Sequence, residues 1–293
     1  MTESYRELRA LAPYLQLHRG KTFVVKLGGE LLADKSALTI CVDQLALLDS
    51  LGVKLVLVHG GAPQIATLCG QLGLDVVVVS GRRVTPPPVL RATAMGLHEA
   101  QLELLGALRA AGVGAAGLTG ASAGLIEARQ RAPMTLEVSG TLEQVDLGEV
   151  GDIVSINRGL LLKLMKDNLT PVITPLACTS DGRILNINAD TVAAAVAAGL
   201  GASKIIFLMQ APGVLRDVSD PATLISELSM EELNALESSG ALQGGMQPKA
   251  SAVRTALQAG VPRAHLVSGV QSDALLRELL SNEGSGTMVT GDA

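Results

Sequence analysis

Thr22-Phe-Val-Val-Lys-Leu-Gly-Gly29 is the stretch that decides the fold. Its first four residues are β-branched or aromatic, and the run ends directly in a glycine pair. A continuous apolar run bounded by a tight turn reads as a strand of a parallel sheet, covered on both faces. Lys26 lies inside that run. An ammonium in a buried strand is costly unless a fixed anion meets it. At the end of a strand, beside two glycines, its side chain can reach out of the sheet edge toward a phosphate.

Working outward, the pattern repeats. Ser36 to Leu51 carries Leu38, Val42, Leu45 and Leu48 at helical spacing, and Gly52 ends it. Val53-Lys-Leu-Val-Leu-Val58 reads as a second buried strand. His59-Gly60-Gly61 follows, and then a helix from Ala62 to Cys69. Backbone N–H groups at such strand–turn–helix junctions attract anions. Many α/β turns carry Gly-Gly for steric reasons alone, but two in consecutive βα units lie side by side on one edge of the sheet. That is the edge where open α/β sheets bind ligands.

Composition agrees with an α/β class. The chain has 293 residues, 48% hydrophobic but 1% aromatic, with no Trp, so the core is aliphatic. The net charge of −5 and the lack of a basic block argue against a nucleic-acid partner. Cys41, Cys69 and Cys178 are dispersed without C-x-x-C spacing. They read as buried reduced thiols of a cytoplasmic protein, and no metal-ligand set is expected. Met1 to Arg9 is too charged for a signal peptide. Thr191 to Ala202, the most apolar central stretch, is shorter than the roughly 20 residues that span a bilayer.

Residues 4 to 17 read as an amphipathic helix, with Tyr5, Leu8, Ala12 and Leu15 on one face, Leu11 beside them, and a kink at Pro13. It either packs on its own domain or pairs with another subunit. Asp75 to Ser80 reads as a short strand, followed by Arg82 and Arg83. These are either carboxylate clamps or solvated surface charges. Pro86-Pro-Pro88 starts a helix from Val89 to Ala111. Gly114 to Thr119 is a strand, Leu136 to Asp152 a hairpin folded over the ligand edge, Ile156 to Asn168 a helix, and Thr170 to Thr174 a strand.

Asp181-Gly182 marks a turn before Arg183 to Asn186. Asn186-Ile-Asn-Ala-Asp190 opens the helix Thr191 to Gly201, with Asn188 as N-cap. Asp190 then complements the helix dipole, but Asn186 is left without a structural task. Ser203 to Met209 is a buried strand, Leu228 to Leu233 an acidic helical piece, and Ser239 to Lys249 a Gly-rich loop leading into the helix Ala250 to Ala259. Lys249 is a surface charge or, beside a bound polyphosphate, a phosphate contact. Arg263 to Val267 and Gly286 to Val289 are the last strands, with a helix from Asp273 to Leu280 between them.

Taken in order, Lys26-Leu-Gly-Gly29, His59-Gly-Gly61, Arg83-Val-Thr85, Asn186-Ile-Asn-Ala-Asp190, Gly244-Gly-Met-x-x-Lys249 and Asn282-Glu-Gly-Ser-Gly-Thr287 resemble the amino acid kinase family. The resemblance is nearest to its N-acetyl-L-glutamate kinase branch. Pro13-Tyr14 followed by His18-Arg-Gly-Lys-Thr22 is similar to the arm of its arginine-sensitive hexameric members, and to the kinase-like lobe of acetylglutamate synthases.

The resemblance implies a three-layer αβα sandwich around an open, mostly parallel sheet of about eight strands. It implies an arm at 1–20, a lobe at 21–200 for the acyl-amino acid N-acetyl-L-glutamate, and a lobe at 201–293 for ATP with Mg2+. Lys26 and Lys249 would stabilise the transferring phosphoryl group, with Asp190 holding both. Gly28, Gly29, Gly60 and Gly61 would offer backbone N–H groups to the γ-phosphate and substrate. Arg83 and Asn186 would bind the substrate carboxylate and amide. Gln210 would sit in the nucleotide pocket, where the family usually has Thr-Asp and this chain has Met209-Gln210. A homo-oligomer, dimer or hexamer, and L-arginine as inhibitor are also implied.

Two other readings differ in kind. One is a non-catalytic arginine-sensing lobe, against which the retained Lys26, Asp190 and Lys249 argue. Another is a dinucleotide-binding oxidoreductase, which fails because neither Gly-Gly turn forms G-x-G-x-x-G. A kinase for a different acyl-amino acid is a variant of the first reading.

Overall fold

The computed structural model describes residues 3–79, 82–138, 141–242 and 244–291. The first part runs α1 (Glu3–His18), β1 (Thr22–Leu27), α2 (Gly29–Ala33), α3 (Lys35–Ser50), β2 (Lys54–His59), α4 (Ala62–Gln71), β3 (Val78–Val79), β4 (Arg82–Arg83), α5 (Pro87–Ala110), β5 (Ala115–Thr119) and β6 (Ile126–Gln130). A middle part has β7 (Met134–Val138), β8 (Thr141–Val145), β9 (Gly151–Ile156), α6 (Arg158–Lys166), β10 (Thr170–Thr174), β11 (Leu176–Cys178), β12 (Ile184–Asn186) and α7 (Ala189–Leu200). The last part has β13 (Lys204–Met209), β14 (Glu227–Ser229), α8 (Met230–Ser238), α9 (Met246–Gln258), β15 (Arg263–Ser268), α10 (Ala274–Leu280) and β16 (Thr287–Thr290).

The main sheet has eight strands in the order β14-β16-β15-β13-β1-β2-β10-β5, all neighbours parallel except β15 with β16. This is the α/β sheet that the β1 stretch predicts, with β1 at its centre. Alternation along β1 assigns its two faces. Phe23, Val25 and Leu27 enter the core formed with α3, α5 and α10. Val24 enters the opposite core, with Val192, Val196 and Val253 of α7 and α9. Lys26 has the parity of Val24, so its side chain lies on the α7 side at the C-terminal end of the strand. Lys26 therefore reaches an anion on the neighbouring helix without leaving the sheet edge.

Local signals explain most boundaries. The Asp34 side chain accepts from the N–H groups of Ser36 and Ala37 and caps α3. Asn188 caps α7 through the N–H groups of Asp190 and Thr191. Gly201, at φ 58, closes α7 in the left-handed conformation.

Several expectations are corrected. The strand at 75–80 shrinks to Val78–Val79, because Val76, Val77 and Val78 are 37%, 53% and 59% exposed and find no core to pack on. Leu228-Ser229 is strand β14, and the helix starts only after Ser229, which forms a capping box with Glu232. Ile156 belongs to β9, not to the helix that follows. α9 begins at Met246, which puts Lys249 inside its first turn instead of ahead of it.

The β7–β8 hairpin is present and packs through Leu136 and Val145 against the β3–β4 ribbon. The Gly140 turn within it, the Ser80-Gly81 link and the side chains of Tyr5, Leu8 and Leu11 lie outside the described residues. The last turns of α1 pack on their own chain. Tyr14 meets the α10-side core and donates from its hydroxyl to Asn282, and His18 is buried with Nε2 donating to Leu279 O at 2.9 Å.

Candidate active site

β1 and β2 pair in register up to Leu27 opposite His59, so the two Gly-Gly turns leave the sheet together. Their backbones touch. A Cβ on Gly29 would lie 2.7 Å from the backbone nitrogens of Gly61 and Ala62, so only glycine fits there. The N–H groups divide in two. Gly28 N–H donates to Leu208 O and Gly60 N–H to Leu27 O, both continuing the ladder. This corrects the expectation that all four glycines offer N–H groups to a ligand. Gly29 and Gly61 stand at the starts of α2 and α4, where N–H groups have no intrahelical acceptor. The paired turns thus present two helix N-termini to one point, a favourable place for an anion.

Asp190, in the first turn of α7, lies between two ammonium groups. Lys26 Nζ is 2.9 Å from Asp190 Oδ1, and Lys249 Nζ is 3.7 Å from Asp190 Oδ2. The three side chains are 8%, 6% and 13% exposed for Lys26, Asp190 and Lys249. Lys249 also donates to Gly245 O at 3.1 Å, which ties its stem to the start of α9. Burial, followed by the like charge of Lys26, pulls Lys249 below the ordinary lysine range, while Asp190 pushes the other way. Two ammoniums thus share one carboxylate beside the paired turns, and the charge of Glu30 acts on Lys249 as well.

Backbone bonds stitch together the segments that carry Arg83 and Asn186. Thr85 N–H donates to Leu147 O, Glu149 N–H to Thr85 O, and Asn186 N–H to Glu149 O. Arg183 grips Glu149 with two bonds of 2.9 and 3.0 Å, fixing the same segment. Arg83 Nε is buried without a hydrogen-bond partner, and desolvation lowers its pKa. Its neighbour across the gap is Cys69 of α4. The Asn186 amide has no side-chain bond among the described residues. A buried guanidinium nitrogen without a partner on one of these joined segments and an amide without one on another suit a ligand that carries a carboxylate and an amide.

On the other side of Lys249 opens a cavity of about 370 Å³. Met209, Val214, Leu215, Leu242 and Met246 give it apolar walls, and Glu30, Gln210 and Lys249 stand along it as the polar groups. Apolar walls with a few convergent polar groups suit a planar base next to a charged tail. No cluster of three or more His, Cys, Asp or Glu that could hold a metal exists among the described residues. Magnesium on a nucleotide does not need one, since it takes one or two carboxylates plus phosphate oxygens and water. Asp190 is already held by two cations, whereas Glu30 forms no ion pair among the described residues and borders the cavity. The donor set therefore fits a phosphate-bound Mg2+.

With this geometry in hand, comparison with known proteins is direct. The pattern of the Amino acid kinase family matches residues 21–268. The chain belongs to the amino acid kinase family. It is 49% identical to the acetylglutamate kinase of Myxococcus xanthus over 290 residues, covering 98% of this chain and 94% of that one. It is 37% identical to that of Methanothermobacter thermautotrophicus over 281 residues, covering 95% and 96%. Among solved structures, N-acetylglutamate synthase from Neisseria gonorrhoeae, complexed with coenzyme A and N-acetyl-glutamate, superposes with a TM-score of 0.85 at 26% identity. That match covers all of this chain and 64% of the synthase, so this chain spans under two thirds of that protein. Carbamate kinase from Giardia lamblia bound to AMP-PNP, at 18% identity and a TM-score of 0.65, shares the fold.

For this member of the amino acid kinase family, the sequence alone did not point to Glu30 or to the apolar cavity walls. The signal for Glu30 was its place directly after Gly28-Gly29, and the walls come from segments too far apart to be joined by spacing. It also gave no role to His59. That side chain is fully buried, its Nδ1–H donates to Gly60 O at 3.0 Å, and its Nε2 accepts from the Thr174 hydroxyl at 3.2 Å. Burial lowers its pKa to about 4, so the ring is neutral and fixes the orientation of the Gly60 peptide.

Proposed function

We propose that this chain transfers the γ-phosphoryl group of ATP to the side-chain carboxylate of N-acetyl-L-glutamate, as an acetylglutamate kinase of arginine biosynthesis. The observation that carries the reading is the Lys26–Asp190–Lys249 bridge beside two Gly-Gly turns. The near-full-length identity to acetylglutamate kinases supports the same substrate.

The reaction needs little covalent help. A carboxylate oxygen forms a bond to phosphorus, the bond from phosphorus to the ADP oxygen breaks, and the products are an acyl phosphate and ADP. A carboxylate is ionised at neutral pH, so no general base is required. The protein's share is positioning and charge neutralisation. Lys26 and Lys249 face the phosphoryl group, and Asp190 keeps both in place. Gly29 and Gly61 offer N–H groups to its oxygens. Gly28 and Gly60 shape the turns through their ladder bonds. Arg83 takes the α-carboxylate and Asn186 the acyl amide. Gln210 and the apolar cavity take the nucleoside. Glu30, on the cavity, is the carboxylate that would hold Mg2+ carried by the nucleotide, which would supply neutralising charge.

Residues 21–200 form the acyl-amino-acid lobe and 201–293 the ATP lobe, with 1–20 as an arm. L-arginine is a further ligand, consistent with a synthase neighbour complexed with L-arginine at 25% identity. In this reading the protein is a cytoplasmic homo-oligomer. Among the described residues no helix is long and apolar enough to cross a membrane. Likeness to the synthase structures favours one alternative, an arginine-binding lobe without turnover.

Hydroxylamine traps an acyl phosphate as a hydroxamate. Hydroxamate formed only with ATP and N-acetyl-L-glutamate present supports the reading. Hydroxamate from another acyl-amino acid alone moves the substrate. Arginine binding with no hydroxamate from any acyl-amino acid establishes the alternative.

A further inference from the structure

The Glu30 carboxylate occupies an unusual place. It turns back over the first Gly-Gly turn, so that a Cβ on Gly28 would lie 2.3 Å from Glu30 Oε1 and 2.8 Å from Oε2. Gly28 has a negative φ of −62°, a backbone that any residue can adopt, so an added side chain there would meet only this carboxylate and displace it. The same carboxylate borders the nucleotide cavity, as does Lys249. It has no hydrogen bond and no ion pair among the described residues. Its charge reaches Lys249, which already faces Asp190 at 3.7 Å and is not within ion-pair distance of Glu30.

A free carboxylate facing the place where a polyphosphate binds is repulsive. A single hard cation between them reverses the sign, and one carboxylate plus phosphate oxygens is a common Mg2+ donor set. We propose that Glu30 is a ligand, direct or through a bound water, of the divalent cation carried by the nucleotide, and that it makes the site selective for metal-complexed over metal-free nucleotide. This rests on the kinase reading and adds a role for one residue to it. Asp190 is a poorer candidate for the metal, because its two oxygens already face ammonium groups at 2.9 and 3.7 Å.

The test is calorimetric binding of AMP-PNP, once in EDTA and once in excess MgCl2, to the wild-type protein and to Glu30→Gln. The amide keeps the shape of the carboxylate, and a matched thermal melt checks that the fold is retained. Wild type should bind the magnesium complex much more tightly than the free nucleotide. In Glu30→Gln the ratio of the two affinities should fall by roughly 10-fold or more, the scale expected for losing a group that supports a bound metal. Metal-free AMP-PNP should bind the variant more tightly than it binds wild type. Mn2+ paramagnetic resonance on the protein–AMP-PNP complex should show weaker Mn2+ binding in the variant and its recovery in Glu30→Asp. The same affinity ratio in wild type and Glu30→Gln overturns the assignment of Glu30 and leaves the kinase reading intact. No AMP-PNP binding by wild type under either condition overturns the kinase reading and this proposal with it.

Discussion

Lys26 of β1 and Asp190 of α7 form an ion pair at 2.9 Å, with both side chains more than nine-tenths buried. The pair joins the central strand of the sheet to the N-terminus of the helix laid across it. Asp190 Oδ1 has no hydrogen bond of good angle despite this distance, so the contact is held by charge and leaves the ammonium free to orient toward a ligand.

Removing the anion from this arrangement leaves two buried ammoniums facing each other. Asp190→Asn should therefore destabilise the folded protein by about 3 kcal/mol, the scale for breaking a buried pair from one side. It should also abolish measurable turnover. Urea unfolding and the hydroxamate assay on the same preparation check both. An unchanged unfolding midpoint would mean that the bridge contributes nothing to the fold.

Lys249 differs from Lys26 in how much of its task is structural. Its side chain is 13% exposed, sits on the cavity rim, and meets Asp190 only at 3.7 Å. Lys249→Ala should lower kcat by roughly 10²-fold or more, the scale of one lost charge stabiliser. The KM for N-acetyl-L-glutamate should stay near the wild-type value, since in this reading Arg83 and Asn186, not Lys249, bind it. Steady-state kinetics with each substrate varied in turn separates these effects. A wild-type kcat removes Lys249 from the chemistry.

The close approach of the two turns makes a sharper steric prediction. In Gly29→Ala the new Cβ would meet backbone nitrogens at 2.7 Å, which cannot yield as a flexible side chain would. Loss of activity together with a lowered melting temperature is expected. Gly70 is the control. It lies inside α4 with nothing within 4 Å of an added Cβ. Gly70→Ala should stabilise the protein by about 0.5–1 kcal/mol through helix propensity, with activity unchanged. Melting curves of the two variants should move in opposite directions.

These residues also show how far the sequence could be read. The β1 stretch carried the sheet class and the need of Lys26 for an anion, because a lysine in an apolar run is a local contradiction that only a partner resolves. Strand parity, once applied, gives the side of the sheet on which that partner lies. The identity of the partner was not local. The resemblance implied Asp190, but from the residues alone the pairing follows only when α7 is docked on β1. The three-residue strands β11 and β14 were illegible because so short a run has no period to detect, and β14 in addition ends in a helix cap. The use of the Gly28 and Gly60 N–H groups was hidden as well, since glycine spacing cannot say which peptide faces the neighbouring strand.

Histidine burial sets the response to acid. His59 is fully buried and neutral, with its pKa lowered from 6.5 to about 4. Below pH 6.5 the unfolded chain takes up a proton that the folded protein refuses until about pH 4, so stability falls as pH drops through that window. The loss from this group alone is on the order of 3 kcal/mol. His18 and His265 are lowered by burial as well and add in the same direction. Glu278 has the opposite charge type; burial pushes its pKa up, but the His265 ring and the N–H groups of Ser285 and Gly286 outweigh it and leave it lowered. Its contribution is lost only below the ordinary glutamate range. Urea midpoints should therefore fall from pH 6.5 to 4, and fall further below that. In His59→Gln, whose side chain can still donate to Gly60 O, the fall between pH 6.5 and 4 should be shallower. An equal slope in the variant would show that His59 is not the group that titrates.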